Sequence, residues 1–269
     1  MMDITTPTPT PSADAPNAFL RSSLFSVGAR GARRYIKGGG VAATSGIAIH
    51  YTGEQLDQAD LDVWLSLVEL GEEEDEGGSR ITAYALLARL GRADTGETRA
   101  TLDAQLTRLV ACAVRVQVAQ QGGVPGYSYE GSLVVSIRRT DELDRRGTRE
   151  YIIRLDGALA VFFAGAHFTR LDKSTRRALS GKPLAQWLHA YYSTHARPMP
   201  IKASTLLALA GCASTNHSSG RQTLRRALEA VSEASPGFGW RMEEGTIYVI
   251  HTPSVSQARH LEKRGSAKG

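Results

Sequence analysis

The spacing of apolar residues over positions 201–250 predicts two helices followed by a β-hairpin. The first helix is expected to end at Gly211, because glycine readily adopts the left-handed conformation that closes a helix. The second is expected to begin at Ser218 or Ser219, whose hydroxyl groups can cap a helix N-terminus. The β-branched and aromatic run 246–250 follows a Glu-Glu-Gly turn and is typical of a hairpin strand. This order of elements indicates a winged helix-turn-helix.

The second of these helices has one apolar stripe and one polar face when its residues are placed at 100° intervals. The stripe consists of Leu224, Ala227, Leu228 and Val231. The polar face consists of Ser218, Ser219, Gln222, Arg225, Arg226 and Glu229, with Arg221 on its flank. Arginine, glutamine and serine side chains can donate hydrogen bonds to base edges and phosphates in a major groove.

The polar face therefore predicts a helix that binds DNA. Base readout is expected from Gln222, Arg225 and Arg226. Contacts to the DNA backbone are expected from Ser218, Ser219 and Arg221. The alternative interpretation is an ordinary amphipathic helix whose basic face is only solvated.

The same pattern occurs once more, earlier in the chain. Segment 81–91 aligns with 201–211 at an offset of 201 − 81 = 120, and Leu102 aligns with Leu224 at an offset of 224 − 102 = 122. Strands over 114–118 and 133–137 are predicted to form the hairpin of this earlier copy. The sequence thus predicts an α+β fold in which two tandem winged helix-turn-helix domains form a pseudo-repeat.

Composition and pattern divide the chain into four predicted parts. Residues 1–45, which begin rich in threonine and proline, are expected to form a flexible N-terminal arm. Residues 46–156, called the first unit below, and residues 157–253, called the second unit, are the two predicted domains. Residues 254–269 are polar and basic, and are expected to form a disordered C-terminal tail.

The two predicted recognition faces differ in charge. In the first unit, the polar-face positions hold Gly96, Glu97, Ala100, Asp103, Ala104 and Thr107. Because this face lacks cations, we expect the second unit to supply most of the base readout and the first to make protein contacts.

The first unit is also expected to contact the DNA backbone, through Arg138 and Arg139 at the end of its hairpin strand. The sequence leaves an alternative open, because this stretch alternates in charge. These arginines can instead pair with nearby acids, which are Asp141, Glu142, Asp144 and Glu150.

Overall composition agrees with a polyanionic partner. The chain has 269 residues and a formal net charge of +5, which is a modest excess for this length. Its two cysteines, Cys112 and Cys212, are far apart and suggest neither a disulfide framework nor a zinc site. The N-terminal residues lack the features of a signal peptide, and no window approaches the ~18 apolar residues of a membrane span. We expect a cytoplasmic protein without metal, cofactor or membrane attachment.

Motifs of catalysis are missing from the sequence. A phosphate-binding P-loop would need glycine five residues before Gly181, where Arg176 stands instead. A DNA-nicking enzyme would need a His-apolar-His pair near a nucleophilic tyrosine, and the seven histidines contain no such pair. We therefore expect no catalytic residues and no enzyme activity.

Four stretches of the chain, residues 20–27, 51–53, 162–169 and 192–202, resemble in content and order the TrfA-type replication initiators of broad-host-range plasmids. The resemblance implies a protein that binds directly repeated iterons in double-stranded origin DNA and melts AT-rich DNA nearby. It also implies recruitment of the host initiator DnaA and the replicative helicase DnaB. Exchange between DNA-binding monomers and inactive homodimers is a further implication.

The resemblance also implies a contact with the host sliding clamp. Segment 21–25 is similar to a clamp-binding pentapeptide in its final Leu24-Phe25 and differs from it at the first two positions. Leu24 and Phe25 would then fill an apolar pocket on the clamp.

Two other functions remain open on the sequence alone. A tandem winged-helix repressor would bind a promoter palindrome as a dimer, whereas a protein-interaction scaffold would bind no DNA. Direct repeats at multiples of roughly 10.5 base pairs beside an AT-rich segment would favour the initiator, because such spacing presents every site on one helical face.

Overall fold

The computed structural model describes residues 12–28, 33–71, 78–121, 123–143, 149–212 and 217–266. Its helices are α1 Asn17–Leu20, α2 Gln58–Gly71, α3 Ala83–Arg89, α4 Gly96–Val110, α5 Lys173–Ala178, α6 Pro183–Ser193, α7 Ala203–Leu209, α8 His217–Ala234 and α9 Val255–Ser266, with a 3-10 helix at Gly157–Phe163.

The strands are β1 Ser12–Pro16, β2 Phe25–Ser26, β3 Tyr35–Gly40, β4 Ile47–Glu54, β5 Leu56–Asp57, β6 Ser79–Thr82, β7 Ala113–Val118, β8 Tyr127–Gly131, β9 Ser136–Leu143, β10 Arg149–Arg154, β11 Phe168–Asp172, β12 Ile201–Lys202, β13 Gly239–Glu243 and β14 Thr246–Ile250. This mixture of helices and antiparallel strands agrees with the predicted α+β class.

The second unit contains the helices and the hairpin that the apolar spacing predicted. Strands β13 and β14 form an antiparallel hairpin, and β12 pairs with β14 to give the order β12-β14-β13. The two-residue turn between β13 and β14 consists of Glu244 and Gly245, with φ of 46° and 80°. Two consecutive positive φ values are the geometry of a tight hairpin turn whose twist matches that of the strands.

The first unit repeats this arrangement. Strand β6 precedes helices α3 and α4, and the sheet beside them has the order β6-β10-β9. The amide of Gly91 donates to the carbonyl of Ala88 at 3.0 Å, and the amide of Gly211 donates to the carbonyl of Ala208 at 3.0 Å. Both glycines have positive φ, 67° and 71°. The helix ends aligned at an offset of 120 in sequence therefore have the same backbone structure.

The hairpin predicted for the first unit is wrong. Strand β7 pairs with β4 and β8 in a separate sheet of order β3-β4-β7-β8, and the hairpin beside β6 is β9–β10. Alternation in β7 buries Val114 and Val116 against β4, where they face Tyr51 and Ile49 in register. One partner of β7, strand β4, thus precedes both helices in the chain, and a local sequence pattern does not reveal this pairing.

The flexible arm predicted for residues 1–45 is also wrong where the structure describes this part. Strand β1 pairs antiparallel with β11, and β3 pairs with β4. The ring of Phe19 lies 5.1 Å from that of Trp64 and 4.9 Å from that of Phe162. Arg33 donates to Asp57 at 2.5 Å and to Asp60 at 3.2 Å. The apolar residues of this segment are buried and hold it in place.

The C-terminal tail, predicted to be disordered, forms helix α9 over most of its length. The amide of Ser254 donates to Oε1 of Gln257 at 2.9 Å, and the amide of Gln257 donates to Oγ of Ser254 at 3.3 Å. This reciprocal pair is a capping box, which stabilises a helix start. Nε2 of Gln257 also donates to the carbonyl of Ser193 at 2.7 Å and so attaches α9 to the end of α6.

Two apolar cores lie inside the described residues. The larger surrounds Trp64 and includes the N-terminal segment, and the smaller surrounds Trp187 and Leu188 in the second unit. Trp187, Leu188 and Tyr191 are all buried in the smaller core. Within the described part of the chain, no helix combines the length and apolar character needed to cross a bilayer.

We expect Leu224→Ala to lower the free energy of unfolding by about 2–5 kcal/mol, because the side chain is 0% exposed and its removal leaves a cavity. Ile250→Ala is the control, since Ile250 is 78% exposed and its truncation should change stability by less than about 0.5 kcal/mol. Chemical denaturation of both variants measures the difference. Equal stabilities would contradict the buried position of Leu224.

Candidate DNA interface

Helix α8 presents a basic, polar surface to solvent. Leu224, Leu228 and Val231 are buried, whereas Arg221, Gln222, Arg225 and Arg226 are exposed. This orientation agrees with the helical wheel, which placed the apolar stripe inside and the predicted DNA contacts outside. The helix begins at His217, so that Ser218 and Ser219 lie inside its first turn and are not its capping residues. The side chain of Ser218 lies outside the described residues.

The hairpin of the second unit packs beside this helix. Nε1 of Trp240 on β13 donates to Oε2 of Glu229 on α8 at 3.3 Å. The guanidinium of Arg241 stacks over the ring of Tyr248 with 4.1 Å to its centroid, and it also forms an ion pair with Glu243. Arg241 is therefore an exposed arginine of the hairpin, and as the neighbour of Trp240 on β13 it lies on the opposite face of the strand. The sequence reasoning missed it, because only the fold places β13 next to α8.

The matching face of the first unit is closed by its own hairpin. Oδ1 of Asp103 on α4 accepts from Nε of Arg139 at 3.1 Å and from the hydroxyl of Tyr151 at 3.0 Å. Arg149 lies 3.7 Å from the other carboxylate oxygen, and Arg139 also donates to the hydroxyl of Thr107 at 3.1 Å. Asp103 thus fixes the hairpin to the position that Arg225 occupies in the repeat.

These contacts correct the expectation for the arginines of the first hairpin. Arg139 is half-buried and bound to Asp103, so a phosphate would have to compete with this carboxylate for its guanidinium. Arg139 is paired with an acid, as in the open alternative, but this acid is Asp103 of α4, which is not among the four that the alternative named. Arg138 is exposed.

The proposed clamp-binding residues are not on the surface. Leu24 is 2% exposed and Phe25 is 1% exposed. The ring of Phe25 lies 5.7 Å from that of Phe19, and its carbonyl accepts from Nε2 of Gln58 at 2.5 Å. A partner would have to extract this segment from the core before it could bind either side chain.

The two units are joined by a buried arginine of α5. Arg176 is 5% exposed and forms an ion pair with Asp62 of α2. Its Nη2 atom donates to the carbonyl and to Oε1 of Gln58, both at 3.1 Å. Beside it, Nζ of Lys173 lies 2.5 Å from Oε1 of Glu69. The junction therefore links α5 of the second unit to α2 of the first.

Two histidines near this junction are held neutral. Burial lowers the pKa of His189 to about 4, and the nearby charge of Arg176 lowers it further in the same direction. Burial likewise lowers the pKa of His195 to about 4, assisted by Arg21. Within the described residues, no group of three or more histidine, cysteine, aspartate or glutamate side chains is placed to hold a metal ion.

Fold and surface together define a mixed α/β protein with two repeated units, each made of a strand, two helices and a hairpin, of which the second carries an exposed cationic helix. The chain belongs to the TrfA protein family, whose model matches residues 1–237. This confirms the family that the four sequence stretches indicated.

One curated relative is the plasmid replication initiator protein TrfA of Escherichia coli, which is 29% identical over 189 residues. The alignment covers 69% of this chain and 47% of that protein. The chain thus spans about half the length of the relative that it matches.

The fold is similar to that of domains 2 and 3 of RctB, as seen in two crystal structures. A selenomethionine derivative matches with a TM-score of 0.58 at 14% identity, covering 89% of this chain and 99% of that one. A second structure, of RctB residues 155–483, matches with a TM-score of 0.55 at 12% identity, covering 86% and 96%. Most of the chain therefore shares its architecture with this pair of domains.

We expect stability to fall as the pH drops from about 6.5 towards 4. The folded-state pKa values of His189 and His195 lie below the ordinary value of 6.5, so the unfolded chain binds more protons in this range. Urea unfolding at several pH values measures the trend. In His189→Gln, the decline should be shallower than in the wild type, whatever the stability of the variant at neutral pH. Parallel pH profiles would show that His189 is not buried as a neutral group.

Proposed function

We propose that this chain initiates plasmid replication without enzymatic activity, by binding direct-repeat iterons at an origin, opening nearby DNA and recruiting host replication proteins. Membership of the TrfA family supports the biological role, since a curated relative is named a plasmid replication initiator. The observation that carries the DNA-binding step is the exposed cationic face of α8. Family membership is also the ground for recruitment of the host initiator and helicase.

Each unit is proposed to be a winged helix-turn-helix domain. In both, two helices follow a short strand, and a hairpin completes a three-stranded sheet with that strand. In such domains the second helix enters the major groove, and the first helix crosses the backbone. We assign α4 and α8 as the second helices of the two domains.

The proposed base readers are Gln222, Arg225 and Arg226. All three are exposed on the side of α8 opposite its buried stripe. Arginine can bind guanine through two hydrogen bonds, and glutamine can bind adenine in the same way. Arg221, Ser218 and Ser219, near the start of the helix, are proposed as backbone contacts, and Arg241 on the hairpin joins them.

The two units are proposed to divide the work. The position of Arg225 holds Asp103 in the first unit, and this carboxylate is already bound to Arg139 and Tyr151. The donors nearest the centre of this face are therefore engaged within the unit by Asp103. Specificity should therefore depend on α8, while the first unit adds affinity.

Arg225→Ala should raise the Kd for cognate duplex by about 5- to 150-fold, which is about 1–3 kcal/mol, because it removes a base contact. Random-sequence duplex should lose less affinity, so that sequence preference relaxes. Arg115→Ala is the matched control: it removes the same charge from an exposed position on β7, where Arg115 is paired with Glu130. Binding titrations on both duplexes measure these changes.

Two results would count against these assignments. An equal loss on cognate and random duplex would make Arg225 a backbone contact. Absence of salt-dependent binding by the wild-type chain would favour a protein-interaction scaffold instead.

Footprinting on the origin region of the replicon that encodes the chain tests the iteron proposal. Regular protection over direct repeats, lost in an Arg225→Ala/Arg226→Ala variant, is the expected result. Protection of a single palindrome would instead indicate a repressor.

A further inference from the structure

A basic cleft lies between the two units. It has a volume of about 290 Å³ and is bounded by α2, by the turn between α3 and α4, and by α5. The acidic residues on its walls are Asp62 and Glu69. Its basic residues are Arg89, Arg92, Lys173, Arg176 and Arg177. Among the described residues, the cleft walls therefore carry a net charge of 5 − 2 = +3.

Two of these cations are already neutralised. Arg176 forms an ion pair with Asp62, and Lys173 forms one with Glu69. The remaining three are arginines, and none of them has a carboxylate within ion-pair distance in the part of the chain that the structure describes. The excess charge is thus carried by Arg89, Arg92 and Arg177, of which Arg92 also interacts electrostatically with Asp62, Asp57 and Asp60.

The contacts of these three arginines are with neutral groups. Arg92 is half-buried, and it donates to Oε1 of Gln105 at 2.6 Å and to the carbonyl of Ala59 at 3.4 Å. Nη2 of Arg177 donates to the carbonyl of Arg89 at 2.9 Å. This bond holds the guanidinium of α5 against the end of α3, while both arginine side chains remain exposed. An anion entering the cleft would meet donors that are already positioned.

The turn between α3 and α4 differs from its counterpart in the second unit. Arg89 and Arg92 correspond, at the offset of 120, to Leu209 and Cys212 in the second unit. There the equivalent turn is covered by the N-terminal segment, since the amide of Val27 donates to the carbonyl of Ala210 at 2.9 Å. In the first unit the same turn is open to the cleft. The unit that lacks cations on the polar face of its second helix therefore carries them at the end of its first helix.

We propose that Arg89 and Arg177, supported by Arg92, bind a backbone phosphate of the duplex that α8 reads. This inference rests on the proposed DNA-binding function. The first helix of a helix-turn-helix crosses the DNA backbone, so that the end of α3 is where a phosphate would lie. A guanidinium group matches the geometry of a phosphate with two parallel hydrogen bonds. The site binds without sequence preference and replaces the hairpin contact expected from Arg139.

Salt dependence of DNA binding tests the site. Each phosphate contact contributes about 0.9 to the slope of log K against log salt, so losing one contact with the 1 M intercept unchanged lowers affinity roughly eightfold at 0.1 M salt. We expect this loss for Arg89→Ala and for Arg177→Ala, equally on cognate and random-sequence duplex. Arg115→Ala removes the same charge far from the cleft and should keep the wild-type slope. Arg177→Lys, which keeps the charge, should also retain most of the slope.

One result would overturn the proposed phosphate site, and a different result would overturn the proposed DNA-binding function. If the wild-type chain binds DNA and the Arg89→Ala/Arg177→Ala variant keeps the slope of Arg115→Ala, the cleft does not bind phosphate. If the wild-type chain shows no salt-dependent binding, the proposed function itself fails. A loss confined to cognate duplex would also overturn the proposal, because it would make these arginines base readers. Thermal unfolding of each variant establishes that a lost slope is not lost folding.

Discussion

The relative position of the two units depends on the burial of one charge, that of Arg176. Removing a guanidinium from water costs several kcal/mol unless its partners replace the lost hydration. Asp62 and Gln58 do so from α2 in the first unit, whereas Arg176 itself belongs to α5 in the second. Separating the units would leave Asp62 without its partner and would break the hydrogen bonds to Gln58. The junction therefore favours one arrangement over a range of loosely linked ones.

The N-terminal segment also holds the two units together, because it contacts both of them. Nε1 of Trp187 donates to the carbonyl of Ser22 at 3.0 Å, and Arg21 donates to the hydroxyl and carbonyl of Thr194 at 2.8 and 2.6 Å. The same segment packs Phe19 into the larger core. A stretch that contacts both units loses its burial if either moves. Its apolar residues, including Leu24 and Phe25, are therefore part of the framework that holds the units together.

The features that the sequence predicted depend on neighbouring residues, whereas the features that it missed depend on residues far apart in the chain. Helices α7 and α8 and the hairpin after them follow from neighbouring residues, through glycine at a helix end, a stripe of leucines and a two-residue turn. The pairing of β7 with β4 does not, because Ile49 and Val116 meet in register at a sequence separation of 116 − 49 = 67. The pairing of Asp103 with Arg139 likewise needs the fold. Local patterns carry no information about which distant strand or charge will be adjacent.

The two units share the same backbone structure but differ in where their charged residues lie. Both units end their first helix in the same left-handed glycine, yet the second carries arginines on α8 and the first carries them at the end of α3. In the first unit, Asp103 attaches the hairpin to the helix that would otherwise read bases. On the proposed assignments, readout by α8 would supply discrimination, and phosphate binding by the first unit would supply affinity that is independent of sequence. A fixed junction is what makes the two additive, because both surfaces meet one duplex without a further cost of ordering the units.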